Sequence, residues 1–224
     1  MPAERPDAHS GSSESPVTPV NFGVAGEKRR LRNQMRRARR TANADDRRTR
    51  DAARNRHLLS LIPRGAVVAI YLSRPGEPST TTAAALLWRR GHRVLAPALR
   101  TGAEEGTRLA PAWAWYTGPS ALREGLHGIP EPIGPALPAT VLGEADVVVI
   151  SALAAGRDGS RLGGGGGWYD QALQHARPDA EILLLVDDSE VSDSLPQEPH
   201  DRPVKGIVTE TGLHSVLTRT LGIL

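Results

Sequence analysis

The sequence contains no cysteine, and this absence excludes disulfide bonds and thiolate metal ligands. It contains no segment that approaches eighteen unbroken apolar residues, and its first sixteen residues lack the apolar stretch of a secretory signal. It also lacks the G-x-S-x-G motif of serine hydrolases and the H-E-x-x-H motif of zinc proteases. We therefore expect a cytoplasmic protein that is independent of membranes and uses neither of these two catalytic machineries.

Aromatic residues make up only 4% of the chain, so leucine, valine, isoleucine and alanine must fill the core. Only Lys28 and Lys205 among the 28 basic residues are lysines. Residues 28–56 hold 13 basic and three acidic residues, which leaves 15 basic and 22 acidic residues for the rest. Such a segment is typical of a solvated basic helix or of a nucleic-acid-binding arm. The absence of aromatic residues among its arginines disfavours nucleic acid as a partner.

Hydrophobic periodicity predicts strands that alternate with helices. Residues 1–24 are rich in Pro, Ser, Glu and Gly without periodicity, which predicts a disordered tail. A basic helical segment follows up to about residue 61, and its apolar stripe comprises Leu31, Met35, Ala38 and Ala42. Strands are predicted over residues 66–72, 93–96, 113–116, 146–150, 181–186 and 206–209. Further helices are predicted over 80–90, 167–176 and 213–221, and a loop over 117–144.

The fold class follows from this alternation. Strands with almost entirely apolar centres, separated by helices, predict a mostly parallel sheet with helices on both faces. A length of 224 residues, with 39% hydrophobic and 24% charged residues, suits one α/β domain with a flexible end. We therefore expect a single domain over residues 25–224, with a basic N-terminal helix that follows the disordered tail.

The glycine run, residues 163–167, is the most informative motif. It lies between a predicted buried strand and a predicted helix, and α/β sheets bind ligands at the carboxyl ends of their strands. Glycine allows a polyphosphate to approach the backbone closely and to accept hydrogen bonds from its amides. Arg161 offers an anion-binding fork, and Asp170 offers a hard oxygen ligand. The run fits neither the P-loop nor the dinucleotide fingerprint, and five glycines alone are equally typical of a mobile linker.

Five segments together resemble the 5-formyltetrahydrofolate cyclo-ligase family, also called 5,10-methenyltetrahydrofolate synthetase. The sequence RLGGGGGWYD, residues 161–170, is similar to the family signature R-L-G-x-G-x-G-x-Y-D. Residues 28–32 are similar to its K-R-x-L-R motif, and residues 72–80 to its first-strand segment. Residues 128–132 resemble G-I-x-E-P, and residues 195–210 resemble L-P, H-D and T-E in that order. The resemblance covers nearly everything except the tail.

The resemblance implies a monomeric enzyme that closes 5-formyltetrahydrofolate to 5,10-methenyltetrahydrofolate with ATP and Mg²⁺, releasing ADP and phosphate. It implies catalytic roles for Arg161 and Lys28, and Mg²⁺ ligation by Asp170 and Asp201. The residues implied to bind ATP are Lys28, Arg29, Arg30, Leu31, Arg32, Arg161, Leu162, Gly163, Gly164, Gly165, Gly166, Gly167, Trp168 and Tyr169. The residues implied to contact the folate are Leu72, Glu77, Trp168 and Tyr169.

Some positions depart from the family pattern or have a simpler interpretation. Ser151, Ala155 and Gly156 stand where the family tends to have Pro, Phe and Asp, and Gly164 stands where it usually has Tyr or Arg. These departures leave open a non-catalytic paralogue that binds ATP or folate. Glu77 could also be only a turn residue. The pair Asp187-Asp188 is interpreted as solvated acids that end a strand.

Overall fold

The computed structural model describes residues 23–99, 110–198 and 201–216. Its helices are α1 Gly23–Thr41, α2 Ala44–Leu61, α3 Thr81–Arg89 and α4 Trp168–Ala172. Its strands are β1 Val68–Ile70, β2 Val94–Pro97, β3 Ala112–Trp115, β4 Leu122–Glu124, β5 Pro130–Pro132, β6 Leu137–Pro138, β7 Val147–Ser151, β8 Ala154–Gly156, β9 Arg161–Leu162, β10 Glu181–Leu185, β11 Val191–Ser192, β12 Gly206–Val208 and β13 Leu213–Ser215. Within these described ranges, no helix is long and apolar enough to cross a membrane.

One large sheet organises the molecule, with the strand order β13-β12-β10-β7-β1-β2-β3-β6. Its five central strands, β12, β10, β7, β1 and β2, are parallel. Antiparallel strands complete it on both sides, β13 beside β12, and β3 and β6 beyond β2. The predicted mixed α/β architecture with a large sheet is confirmed, and the antiparallel strands are confined to its margins.

Strand residues alternate between two apolar layers, because successive side chains of a strand point to opposite faces. In β7, Val147 and Val149 pack in the layer under α2 and α3, whereas Val148 and Ile150 pack in the layer under α4. Both layers are buried, which explains why the central strands are apolar at every position and show no polar alternation. The sheet therefore forms the middle layer of the domain.

The basic helical segment is two helices rather than one. Asn43 separates α1 from α2, and its side-chain oxygen accepts hydrogen bonds from the amides of Asp45 and Asp46. Such a side-chain cap satisfies the first free amides of a helix, so it fixes a new helix start at Ala44. Before the break, α1 packs against β8 and β9, whereas after it α2 packs on one face of the large sheet.

Two predicted elements were wrong. The predicted loop 117–144 contains β4 paired with β5, and β6 paired with β3. The predicted closing helix begins as a strand, since Leu213–Ser215 pairs antiparallel with β12, and its residues 217–221 lie outside the described part. The helix predicted after the glycine run is present, as α4 up to Ala172 and then one 3₁₀ turn. The predicted tail lies outside the described residues, except that residues 23 and 24 begin α1.

Candidate functional site

The loops after the central strands meet at one edge of the sheet, because parallel strands present their carboxyl ends together. β1 leads into residues 71–80, β7 into residues 152–160, and β10 into residues 186–190. A cavity of about 370 Å³ lies between the loops after β1 and β10 and helices α1 and α2. Its lining includes Gln34, Met35, Arg39, Asp51, Glu77 and Glu190. This edge is the candidate site.

The glycine run connects β9 to α4 at the same edge. Gly165 has a φ of 101° and Gly167 a φ of 70°, in the left-handed region that side chains disfavour. A Cβ atom at Gly164 or Gly166 would meet no atom within 4 Å. Residues 164–166 are exposed. The run therefore presents accessible backbone with open space above it, which suits the close approach of a phosphate.

Helix α1 lies against the glycine run. Arg32 donates from Nε to the carbonyl oxygen of Gly163 at 3.0 Å, and Arg36 donates from Nη2 to that of Gly164 at 2.7 Å. The apolar contacts of this helix join Leu31 and Met35 to Leu153, Ala154 and Leu162. Hydrogen bonds and apolar packing thus hold the run in place together, which is unlike a mobile linker.

Lys28 is the buried residue of α1, with 4% of its surface exposed. Its Nζ forms ion pairs with Asp201 at 2.6 Å and with Glu198 at 2.8 Å. Burial alone would lower the pKa of Lys28, but the hydrogen bonds to Asp201 and Glu198 outweigh this effect and raise the pKa above its ordinary 10.5. Lys28 therefore stays charged near neutral pH at a fixed position.

Arg161 connects the two segments that carry the predicted metal ligands. It lies in β9 and is buried. Its Nη2 forms an ion pair with Asp170 in the first turn of α4. Its Nε donates to the carbonyl oxygen of Arg202, the neighbour of Asp201, at 3.2 Å. One guanidinium therefore contacts the segments of both acids.

Asp170 and Asp201 have the donor chemistry of a magnesium site. Carboxylate oxygens are the ligands that Mg²⁺ prefers, and this ion keeps its remaining positions for water and phosphate. Across the described ranges, no group of three His, Cys, Asp or Glu side chains is placed to hold a metal alone. The two acids thus fit a metal whose coordination phosphate and water complete. In this structure each acid faces a cation, Arg161 or Lys28.

Glu77 lies on a tight turn beside the cavity. Its amide donates to the carbonyl oxygen of Arg74 at 3.1 Å, and Gly76 has the positive φ, 92°, that a type II turn requires at its third residue. Its carboxylate accepts a hydrogen bond from Arg74 Nε at 3.1 Å. Burial raises the pKa of the Tyr71 and Tyr169 hydroxyls, and the charge of Glu77 raises both further. Glu77 is therefore a turn residue, and its negative charge also acts on the hydroxyls of Tyr71 and Tyr169.

Trp168 and Tyr169 begin α4 directly after the glycine run. The Trp168 ring lies edge to face against Trp113, with 5.2 Å between centroids, and against Tyr169, with 5.0 Å. Both side chains are half-buried and pack against the sheet. Their arrangement anchors α4 to the sheet directly after the glycine run.

Three of the predicted site residues lie apart from this arrangement. Leu72 is 3% exposed and packs in the apolar layer under α3, and the cavity lining does not include it. Arg29 and Arg30 are exposed on α1. They follow Lys28 by one and two positions, which turns them about 100° and 200° around the helix from the buried face.

The interpretation of the basic segment as solvated was wrong for Arg39, which pairs with Glu190 in the lining of the cavity, and Glu190 was not identified from the sequence. Arg39 donates to both carboxylate oxygens of Glu190, at 2.6 and 2.7 Å, and to the carbonyl oxygen of Ala152 at 2.6 Å. The two side chains are 11% and 7% exposed. Arg39 follows Lys28 by eleven positions, or three helical turns, so helical spacing of the basic residues was the available signal.

The interpretation of Asp187 as a solvated acid was wrong. Asp187 forms an ion pair with the fully buried Arg54, and a second with Arg50 at 3.2 Å. Its amide donates to Glu190 Oε2 at 3.0 Å, within a capping box. Its neighbour Asp188 accepts hydrogen bonds from Thr211. The acids after β10 therefore hold neighbouring elements together at the site.

Comparison with known proteins agrees with this architecture. Residues 24–210 match the model of the 5-formyltetrahydrofolate cyclo-ligase family. The 5-formyltetrahydrofolate cyclo-ligase of Mycolicibacterium smegmatis is 39% identical over 145 residues, which cover 65% of this chain and 74% of that protein. The enzyme of the same name from Haemophilus influenzae is 26% identical over 185 residues, 81% of this chain and 97% of that protein.

The fold of this chain is also similar to that of solved structures. The 5,10-methenyltetrahydrofolate synthetase of Aquifex aeolicus superposes with a TM-score of 0.70 at 22% identity, covering 88% of this chain and 99% of that one. The synthetase of Mycoplasma pneumoniae superposes with a TM-score of 0.63 at 17% identity, covering 82% and 99%. Since the family match spans most of the sequence and the fold agrees, the chain belongs to the 5-formyltetrahydrofolate cyclo-ligase family.

Proposed function

We propose that the protein catalyses the ATP- and Mg²⁺-dependent closure of 5-formyltetrahydrofolate to 5,10-methenyltetrahydrofolate, with release of ADP and phosphate. Besides family membership, one observation carries the proposal. The two cations with proposed catalytic roles are each paired with a carboxylate assigned to the metal, Lys28 with Asp201 and Arg161 with Asp170. The site therefore combines fixed positive charge with hard oxygen donors beside an exposed glycine run.

Nucleotide binding would exchange partners within this set of charges. Lys28 and Arg161 would turn from the two acids to phosphate oxygens, and Asp170 and Asp201 would bind the metal instead. Mg²⁺ held there would neutralise charge on the phosphates. Lys28, Arg161, Asp170 and Asp201 would each lose one partner and gain another in this exchange, which avoids the cost of an unpaired buried charge. Arg32 lies beside the run and adds a further cation.

The chemistry of the formyl group explains why ATP is required. An amide-like formyl oxygen is a poor leaving group. When it attacks the γ-phosphorus, ADP departs and the oxygen becomes part of a phosphate ester. N10 then attacks the activated formyl carbon and gives up its proton to the departing phosphate or to water, phosphate leaves with the oxygen, and the ring is closed. The protein must align the two substrates and stabilise the charge of the transferred group, which suits Arg161 and Lys28.

The folate is assigned to the cavity beside Glu77. The cavity opens at the same sheet edge as the glycine run, and its lining includes Met35 and Glu77. Glu77 would accept hydrogen bonds from the pterin ring. Trp168 and Tyr169 are assigned to ring contacts with pterin or adenine, because they lie between the run and the sheet. We further propose that the enzyme acts as a monomer in the cytoplasm.

Two observations bear on the alternatives. A non-catalytic paralogue was left open by departures such as Gly156. A Cβ atom at Gly156 would collide with the side chains of Ser160 and Asp158. The Asp158 carboxylate therefore occupies the space beside a residue that has no carboxylate of its own.

The contacts of α1 argue against a nucleic-acid arm. Four of its eight basic side chains contact the protein itself; these are Lys28, Arg32, Arg36 and Arg39.

Incubation with 5-formyltetrahydrofolate and Mg·ATP tests the proposal. We expect the near-ultraviolet absorbance of methenyltetrahydrofolate to appear at a rate proportional to enzyme concentration. The variant Arg161→Ala should lose at least about 100-fold in rate, as is usual when one charge-stabilising group is removed. A wild-type protein that binds both ligands without producing this absorbance would establish the paralogue instead.

A further inference from the structure

Helix α2 carries a buried ion pair that none of the assigned site residues includes. Arg54 is fully buried, and its Nη1 donates to Asp51 Oδ1 at 2.7 Å. Its Nε donates to the carbonyl oxygen of Val186 at 2.9 Å, and Nη2 pairs with Asp187. Arg54 therefore fixes α2 to the carboxyl end of β10, which is part of the rigid sheet.

Asp51 extends this connection to the loop that carries Glu77. The same Oδ1 that accepts from Arg54 also accepts from the amide of Ser79 at 2.9 Å. The Tyr71 hydroxyl donates to the carbonyl oxygen of the intervening Pro78 at 2.6 Å. The residue before this anchored pair is Glu77. The loop is thus held at Ser79 from α2 and at Pro78 from the sheet.

The position of Asp51 relative to the cavity indicates which ligand it affects. Asp51, Glu77 and Pro78 line the cavity on one side. The contacts of the glycine run come from α1, through Arg32 and Arg36. Loss of the Asp51 contact would leave the Glu77 loop with its Pro78 anchor alone and loosen it, while α1 and the run keep their own hydrogen bonds.

We propose that Asp51, held by Arg54, is a positioning residue for substrate recognition, because it fixes the loop that presents Glu77 to the folate. This inference rests on the proposed function, which assigns the cavity to 5-formyltetrahydrofolate. Asp51 does not touch the reacting atoms. It acts through its hydrogen bond from the amide of Ser79, two positions after Glu77. Asp51 therefore contributes to the affinity for the folate and not to the affinity for ATP.

The test is a double-mutant cycle read by calorimetry with each ligand. We expect Asp51→Ala to weaken 5-formyltetrahydrofolate binding by about tenfold and Mg·ATP binding by less than about twofold. Asp51→Asn keeps an acceptor oxygen for Ser79, so it should recover most of the folate affinity, and it replaces the alanine variant if that one does not fold. In a Glu77→Gln background, Asp51→Ala should have less than about twofold further effect. The matched control is Asp45→Asn, an exposed acid of the same helix.

Three outcomes would overturn the inference. They are unchanged folate affinity in Asp51→Ala, equal losses for both ligands, or a full effect of Asp51→Ala when Glu77 is already replaced. Wild-type turnover separates these failures from failure of the proposed function. Turnover with any of the three outcomes rejects only the role of Asp51, whereas a wild type that neither binds nor converts the folate rejects the proposed function as well.

Discussion

Lys28 and Asp201 lie 173 positions apart in the chain and form a 2.6 Å ion pair at the carboxyl edge of the sheet. A second pair, Arg161 with Asp170, lies in the same region. Both pairs are more buried than a surface salt bridge, so their charges interact strongly with each other and with any ligand that replaces a partner.

Replacement of Lys28 should affect ATP far more than replacement of an exposed arginine on the same helix. We expect Lys28→Met to raise the Michaelis constant for ATP by about tenfold or more, a difference of roughly 1.4 kcal/mol per factor of ten. Arg37→Met is the control, because Arg37 is exposed on α1. Similar Michaelis constants for the two variants, or tight and salt-sensitive binding of the wild type to duplex DNA, would favour the nucleic-acid alternative.

The two acids assigned to the metal should respond to Mg²⁺ concentration. Asp170→Asn and Asp201→Asn keep the shape of the side chain and remove a charge from the ligand set. We expect each variant to need about tenfold more Mg²⁺ for half-maximal rate, because the ion prefers charged oxygen donors. The control is Asp179→Asn, whose side chain is 76% exposed and pairs with Arg177, two positions earlier. Wild-type rates of both variants at limiting Mg²⁺ would remove the two acids from the metal site.

The pair Arg39 and Glu190 should contribute to stability as a unit. Arg39→Met leaves Glu190 buried without its cation, so we expect a loss of about 3–5 kcal/mol in the free energy of unfolding. The double variant Arg39→Met with Glu190→Leu removes both charges and should recover at least half of this loss. Urea unfolding at constant pH measures each value. A double variant as unstable as the sum of both single variants would show that the pair is not the source of the effect.

Asp188 should give the stability a dependence on acidic pH. The hydrogen bond that Asp188 accepts from Thr211 is the main reason why its pKa lies below the ordinary 3.8. Hydrogen bonds from His214 and Thr209 lower this pKa further. Because the pKa of Asp188 is lower in the folded protein, its contribution to stability is complete above the pKa of the unfolded state. That contribution is lost as the pH falls through the pKa of the folded state. We therefore expect the urea midpoint of the wild type to exceed that of Asp188→Asn at pH 6, and the difference to shrink below about pH 4. A constant difference across this range would contradict the assignment.

Much of the fold could be predicted because the central strands are buried on both faces. Residues 147–150 and 182–185 are apolar at every position, and such short, continuous apolar runs are typical of strands that are buried on both faces. The edges were harder to predict. Leu213–Ser215 becomes a strand because the unpaired edge of β12 offers hydrogen bonds, and sequence periodicity cannot show which edge is free.

The site was predictable where a motif is continuous and unpredictable where distant residues meet. The run beginning at Arg161 is continuous, so its position beside α4 followed from the sequence. Asp51 was not identified, because its role depends on the Ser79 amide, 28 positions away. Asp187 was misinterpreted for the same reason, since its partner Arg54 lies 133 positions earlier. Acids after a strand look solvated until the partner helix is placed.

The most direct test of the account measures two products in one reaction with 5-formyltetrahydrofolate and Mg·ATP. We predict one phosphate released for each methenyltetrahydrofolate formed, and neither product when either substrate is omitted, because the formyl oxygen leaves as part of the phosphate. Phosphate release without methenyltetrahydrofolate, or methenyltetrahydrofolate formed at the same rate without ATP, would contradict the proposal that this site couples ATP to ring closure.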